Sequence, residues 1–407
     1  MSIRLTRRRA LMLASGVLPA TLAFRSARSA DAPFVVGAAL PMSGPFSNYG
    51  ELTERALKAG AARVNEAGGI LGRKVELLVR DDAGNAGRTL LAVKELVGER
   101  KVDFLYPEQI SGFALAVLPY TTEEKVLTIT SATAPQVGDA AKFPYSFQYS
   151  ETAPQRVPAV AQALVKFGGK RVGILVSTNP GTTPMGDGLA DVLPKKYGMS
   201  VAGYRQFTAD TKDFTPHLQA LRDAGADIIA FDSVAQDGVR LVMTGMQSLG
   251  WTAKVICGPA ALTRNLAEQV PEAVKGQFFA VNFRAGVKVP GAARPGMDDL
   301  IAKLKAMGTI ENLGLSAMNH DIVFLAKWAH ETAQKEAGNT TSDTLRRILE
   351  SVGGRSYPDS YWLFAGNPHY TAKDHSMANA DASKLYGLIG VSAPVDGAYA
   401  GEALDIV

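Results

Sequence analysis

The feature that narrows the fold most is a strand–helix alternation that runs from residue 34, pauses near residue 130 and starts again near residue 154. Phe34–Leu40 is a short apolar run and reads as a buried strand. Leu52, Ala56, Ala59 and Val64 then recur at helical spacing between about Tyr49 and Ala67, and Gly68-Gly69 stops that helix. Val75–Val79 reads as strand, Arg88–Val97 as helix, Val102–Tyr106 as strand, Gly112–Glu124 as helix and Val126–Thr130 as strand. The second round is Pro154–Phe167 (helix), Arg171–Ser177 (strand), Gly186–Tyr197 (helix), Val201–Phe207 (strand), Phe214–Ala224 (helix), Asp227–Asp232 (strand), Asp237–Leu249 (helix) and Lys254–Cys257 (strand). Parallel strands need crossover connections, and short links through helices supply them. The pattern therefore specifies an α/β chain with two parallel sheets, each flanked by helices.

Beyond Gln277–Asn282 the rhythm weakens. Met297–Met307, Asn319–Ala337 and Thr341–Ser351 read as helices, the last with Ser342 as a cap. Residues 353–368 are rich in Gly, Pro and aromatics and read as loops and short strands, and Leu385–Val391 reads as a final strand. A chain of 407 residues is too long for one ordinary core and comfortable for two.

The formal charge of +4 comes from the first thirty residues, which hold six arginines and no acid; without them the chain carries −2. No basic patch argues for nucleic acid. Arg4–Arg9 form a basic head, Ala10–Phe24 an apolar stretch too short to span a bilayer, and Ser26–Ala32 are mostly small, so residues 1–30 read as an export signal. The run Thr6-Arg7-Arg8-Arg9-Ala10-Leu11 resembles a twin-arginine signal; a general secretory signal with a basic head is the alternative. The expected location is the periplasm. Cys257 is the only cysteine, so an intrachain disulfide is impossible, no lipid anchor is expected, and the thiol reads as a packed small hydrophobe.

In open parallel sheets, ligands bind beyond the carboxyl ends of the strands, where helix starts present free N–H groups. Three segments of the first sheet fall there: residues 41–49, residues 107–112 and residues 131–135. Each sets hydroxyls beside small residues, as capping requires and as a carboxylate site also requires.

Those segments also carry a family resemblance. Val36-Gly37-Ala38-Ala39-Leu40-Pro41-Met42-Ser43-Gly44-Pro45, Tyr49-Gly50, Asn65-Glu66-Ala67-Gly68-Gly69-Ile70, Leu71-Gly72-Arg73-Lys74, Asp81-Asp82, Ser111-Gly112 and Lys212-Asp213-Phe214 together resemble the leucine/isoleucine/valine-binding family of type I periplasmic binding proteins. The resemblance implies two Rossmann-like lobes joined by hinge strands and closing on a solute, with an ABC transporter permease as partner. It implies a monomer that binds and does no chemistry. The lobes would be residues 33–150 plus about 282–375, and residues 151–281 plus about 376–407. It further implies that Ser111 and Thr133 hold the solute carboxylate, that Ser131 and Ala132 add backbone contacts, and that Tyr49 lines the cleft. In the second lobe, Met185 stands before Gly186-Asp187-Gly188 where the family often has Tyr. Asn179, Thr182, Thr183 and Met185 are candidates for shaping the solute's pocket. The acid that faces a ligand ammonium in amino-acid binders has no clear counterpart around Cys257-Gly258-Pro259-Ala260; Asp232 is the candidate, or it only ends a strand. A site without that acid should prefer aromatic or aliphatic acids lacking an amine.

The reading of the residues themselves excludes the common catalytic patterns. There is no Gly-x-Ser-x-Gly elbow, no phosphate loop and no His-Glu-x-x-His. His217, His320, His330, His369 and His375 never pair at metal-ligand spacing and read as structural or exposed. The functional reading is a periplasmic solute-binding component of an ABC transporter for a small carboxylate. The alternative is a sensing module that presents its closed form to a signalling partner.

Overall fold

The computed structural model describes residues 32–234, 237–259, 276–289, 294–365, 368–377, 385–390, 392–404 and 406. The expected export signal lies outside them.

The first sheet is wholly parallel. It contains β1 (Phe34–Leu40), β2 (Val75–Asp81), β3 (Phe104–Tyr106), β4 (Thr128–Thr130) and β5 (Ser146–Gln148) in the order β2-β1-β3-β4-β5. Its helices are α1 (Ser47–Glu66), α2 (Ala86–Lys94) and α3 (Ser111–Glu123). Helix α1 ends at Glu66, and Gly68 and Gly69 just beyond it adopt φ +89 and +75; a side chain at Gly69 would press on the Arg73 carbonyl.

The second sheet has eight strands. They are β6 (Arg171–Ser177), β7 (Ser200–Phe207), β8 (Ile228–Asp232), β9 (Lys254–Cys257), β10 (Phe278–Phe283), β11 (Val287–Lys288), β12 (Tyr386–Gly390) and β13 (Tyr399–Ala403), in the order β11-β13-β12-β10-β9-β8-β6-β7. Strands β6 to β10 are parallel to their neighbours; β12 returns antiparallel to β10 and β13 antiparallel to β12. Read as β7-β6-β8-β9-β10, the parallel part repeats the strand order of the first sheet. Helices α4 (Val157–Lys166), α5 (Thr183–Lys196), α6 (Thr215–Asp223) and α7 (Gly238–Ser248) connect it. Three more follow: α8 (Met297–Ala306), α9 (Leu313–Ala337) and α10 (Ser342–Glu350). Helix α9 packs along α1, with its buried Ile322, Val323 and Ala326 in the largest apolar cluster.

Local differences from the sequence reading have physical causes. Helix α9 begins at Leu313 because Asn312 caps it, accepting from the Leu315 amide at 3.0 Å. The cap of α10 is Thr341, which accepts from the Thr344 amide, so Ser342 is the first helical residue and not the cap. Strands β5, β11 and β13 were not expected; each is short, and two of them pair late in the chain. The described part of 353–368 contains 3₁₀ turns and no strand. Among the described residues, no helix is long and apolar enough to cross a membrane.

A buried polar knot ties the chain where it leaves the first sheet. Oδ2 of Asp321, in α9, accepts from the Tyr149 hydroxyl and from the Leu363 and Phe364 amides, each at 2.9 Å. The other oxygen lies 2.8 Å from His320 Nδ1, and Arg63 Nη1 lies 2.8 Å from His320 Nε2. A guanidinium can only donate, so Nε2 accepts and Nδ1 carries the proton given to Asp321. Burial lowers the His320 pKa against the pull of Asp321, consistent with this neutral ring. Asp321→Ala would leave four buried donors without an acceptor. It is expected to cost about 3–5 kcal/mol in urea unfolding; an unchanged midpoint would remove the knot from the account.

Candidate functional site

Where strand order reverses direction, the loops leaving neighbouring strands diverge and open a crevice. In the first sheet this happens between β1 and β3; in the second, between β6 and β8. The two crevices face one another. Their loops line one cleft. From the first sheet come Tyr49, Gln109, Ile110, Ser111, Ser131 and Thr133. From the second come Gly181, Thr182, Asp232, Ser233, Val234 and Pro259. Glu151 and Arg156, between the sheets, and Phe283, Leu315 and Met318 complete the wall.

Ser111 is the first residue of α3. Its Oγ accepts from the Thr133 and Ala134 amides, both at 3.1 Å. Both lone pairs are thereby used, and no described residue accepts the hydroxyl proton. The Ser111 and Gly112 amides head a helix and have no intrahelical acceptor. Gln109 Oε1 accepts from the Thr53 hydroxyl at 2.7 Å, while its buried Nε2 meets no partner among the described residues. One rim of the cleft thus offers several N–H and O–H donors and no formal charge, as an anion site at a helix start requires.

The opposite side carries charge. Arg156, 5% exposed, is bound by Glu151 through Nη2 and by Asp232 through Nη1 at 2.5 Å. The Arg156 pKa feels burial against its charge, but Asp232 and Glu151 more than offset this and hold it protonated. Burial raises the Glu151 and Asp232 pKa values, with Arg156 opposing in each case. With both acids ionised, two carboxylates around one guanidinium would carry one negative charge in excess. The Tyr49 hydroxyl is raised by burial and then by Asp232, so it stays a neutral phenol.

The structure brings five of the seven expected residues to the cleft: Tyr49, Ser111, Ser131, Thr133 and Asp232. Two are not among its lining residues. Ala132 gives its amide to Thr130 Oγ1 at 3.1 Å, and its carbonyl accepts from Gln148 at 2.5 Å and Ser150 at 2.8 Å, which leaves its backbone little for a solute. Met185 is 1% exposed inside the main apolar cluster, because α5 turns that face inward. Ser131 lines the cleft but shares its hydroxyl with Tyr106 (2.7 Å) and Asn319 (2.9 Å). Thr133 donates to the Gly181 carbonyl at 3.1 Å. Sequence reasoning missed Glu151, Arg156 and Gln109. The one local signal is the capping box of Thr152 and Gln155, which marks a turn starting there.

The loops are fixed from below by acids. Asp81 accepts from Ser43 Oγ at 2.6 Å and Ser43 N at 3.1 Å, pinning the first loop. Asp82 accepts from Gly84 N at 2.8 Å and Thr89 Oγ1 at 3.0 Å. Glu108 is fully buried, and its Oε1 accepts from Gln109 N (2.6 Å) and Ile110 N (2.9 Å), shaping the turn before Ser111. Burial, then the hydrogen bond and charge of Asp82, push the Glu108 carboxyl well above the usual range. An unfolded Glu ionises near about 4.3. Between that pH and the raised folded value, unfolding releases a proton. The contribution of Glu108 is therefore complete below the unfolded pKa and is lost as pH rises through the folded one. Across pH about 4 to 9, the unfolding free energy of Glu108→Gln should gain on the parent as pH rises, by at most about 1.4 kcal/mol per pH unit. A difference that ignores pH would show the carboxyl to be ionised throughout.

A family model described as periplasmic binding protein matches residues 33–382. Leu/Ile/Val-binding protein homolog 3 of Brucella melitensis is 28% identical over 252 residues, which cover 61% of this chain and 66% of that one. Leu/Ile/Val-binding protein BraC3 of Rhizobium johnstonii is 27% identical over 295 residues, covering 71% and 77%. Among solved structures, an extracellular ligand-binding receptor from Rhodopseudomonas palustris HaA2 superposes with a TM-score of 0.77 at 18% identity, over 91% of this chain and all of that one. A solute binding protein of an ABC transporter from the same organism, in complex with p-hydroxybenzoic acid, has a TM-score of 0.73 at 20% identity, with coverages of 92% and 96%. LivJ of Streptococcus pneumoniae, a branched-chain amino acid transporter substrate binding protein in complex with isoleucine, has 0.72 at 17%, with 92% and 99%. At these identities the structural matches establish the shared fold.

Proposed function

Since this chain belongs to the periplasmic binding protein family, we propose that it is the exported solute-binding component of an ABC transporter and captures a small carboxylate in the cleft between two lobes. Residues 33–150 with about 282–375, and 151–281 with about 376–407, are the lobes in this reading. The observation that carries it is the Ser111 rim. A hydroxyl with an unclaimed proton and the amides at the start of α3 lie there, with Gln109 lining the same cleft beside apolar walls from Ile110, Phe283, Leu315 and Met318.

Asp232 and Glu151 change the expectation about an amine. Asp232 at the end of β8 and Glu151 just beyond β5 are the candidates for the acid that the uncharged stretch near Cys257 does not supply. A trio with an excess negative charge favours a solute that carries a protonated amine as well as its carboxylate, since the amine would offset a charge that is costly to bury. Such a solute touches one rim in an open cleft and both in a closed one, so it favours closure in proportion to that difference. A permease would then recognise the closed pair of lobes. Bound solutes of both kinds, isoleucine and p-hydroxybenzoic acid, occur among proteins of this fold.

The test is a thermal-shift screen of branched-chain amino acids, aromatic acids and short aliphatic acids. A solute at 100 times its Kd adds about 2.7 kcal/mol of stability. Amino acids are expected to shift the protein more than their deaminated analogues; a larger shift with the analogues would reverse the reading of the acidic trio. For the best probe, Ser111→Ala should weaken binding by about 1.5–3 kcal/mol in calorimetry. Parental affinity in that variant would remove Ser111 from the site.

A further inference from the structure

We propose that Thr133 and Gly181 form a latch between the two rims, so that Thr133 acts directly on closure of the cleft. Thr133 follows β4 in the first sheet; Gly181 follows β6 in the second. Thr133 Oγ1 donates to the Gly181 carbonyl at 3.1 Å. A threonine hydroxyl has one proton. While it is given to Gly181 it cannot also be given to a carboxylate oxygen. The Thr133 amide is equally committed, to Ser111 Oγ, and its carbonyl accepts from the Ala153 amide at 2.8 Å. Every polar group of Thr133 therefore serves the protein itself.

Gly181 is held ready to accept. Its amide donates to Asn179 Oδ1 at 2.8 Å, and Thr182 donates through its amide to the Asn179 carbonyl (3.0 Å) and through its hydroxyl to the Ser177 carbonyl (2.7 Å). The turn is rigid and presents one carbonyl across the cleft. It also comes very close. A Cβ at Gly181 would stand 2.6 Å from Ser111 Oγ and 2.6 Å from Thr133 Oγ1, distances that non-bonded atoms do not reach. Gly181 is not among the positive-φ glycines, so its backbone accepts an L side chain without strain. The chief obstacle to a side chain is thus the opposing rim. Gly181→Ala should be tolerated when the cleft is open and should block closure.

Closure has a second component at the mouth. Phe46, Tyr49 and Ile110 from the first sheet's loops pack with Phe113, Ala209, Val234 and Leu315. Ala209 and Val234 follow β7 and β8 of the second sheet. These contacts are apolar and non-directional, whereas the latch is a single directed hydrogen bond that fixes where the rims meet. The proposal rests on the reading of the cleft only in that closure brings the rims together. Measured without solute, it can fail while that reading stands.

The experiment is a pulsed-dipolar distance measurement on solute-free protein with spin labels at Lys58→Cys on α1 and Lys195→Cys on α5, both exposed positions. Cys257, 1% exposed, stays unlabelled. The parent should show a closed, short-distance component. Thr133→Val should lower the closed-to-open ratio by about two- to tenfold, the effect of one net hydrogen bond. Thr133→Ser should retain the component, and Gly181→Ala should abolish it. Unfolding midpoints of all variants check the fold, and the Thr133→Val and Thr133→Ser pair differs by little more than a hydroxyl. Distance distributions for Gly181→Ala and Thr133→Val that coincide with the parent's would overturn the latch, as would a parent with no closed component.

Discussion

Every strand of the first sheet runs the same way, so every loop that follows a strand opens onto one rim. That constraint generates the site. Parallel strands need crossover helices, and helices begin where strands end. The rim therefore collects helix starts, with their unpaired amides and partial positive charge. The second sheet repeats the order and puts a second rim opposite. A groove between such rims can hold an anion on one side without any cation there, and Ser111 at the head of α3 is placed to use this.

Among the described residues of the cleft, the one arginine does a different job. Arg156 is enclosed by Glu151 and Asp232, so its charge is spent before any solute arrives. Isolated, it would cost several kcal/mol to bury; paired twice, it joins the chain leaving the first sheet to the end of β8. The consequence is a division of labour. In the proposed reading, neutral donors would face the carboxylate, the charged trio would set the sign of the far side, and apolar residues at the walls would supply the shape.

Much of this was legible because fully buried strands are continuous apolar runs, and runs such as Phe34–Leu40 and Arg171–Ser177 needed no further context. The loops that hold Tyr49, Ser111 and Thr133, and the strand end at Asp232, could be located because strand ends and helix starts are marked by local chemistry; the choice of those residues came from the family resemblance. Met185 and Ala132 could not be placed. Which side of α5 faces inward, and which backbone groups are already taken by Gln148 and Ser150, depend on distant packing. Glu151 and Arg156 lie in a short turn between sheets, where there is no period to read. Strand β13, Tyr399–Ala403, is recruited by its partner β12, not by the propensity of its own small residues.

The most direct measurement is a crystal structure of the protein with the solute that stabilises it best. The account predicts a carboxylate oxygen within about 3 Å of Ser111 Oγ and of an amide at the start of α3, with the rest of the solute toward Asp232 and Glu151. A carboxylate seated instead on Arg156, with Ser111 untouched, would contradict it.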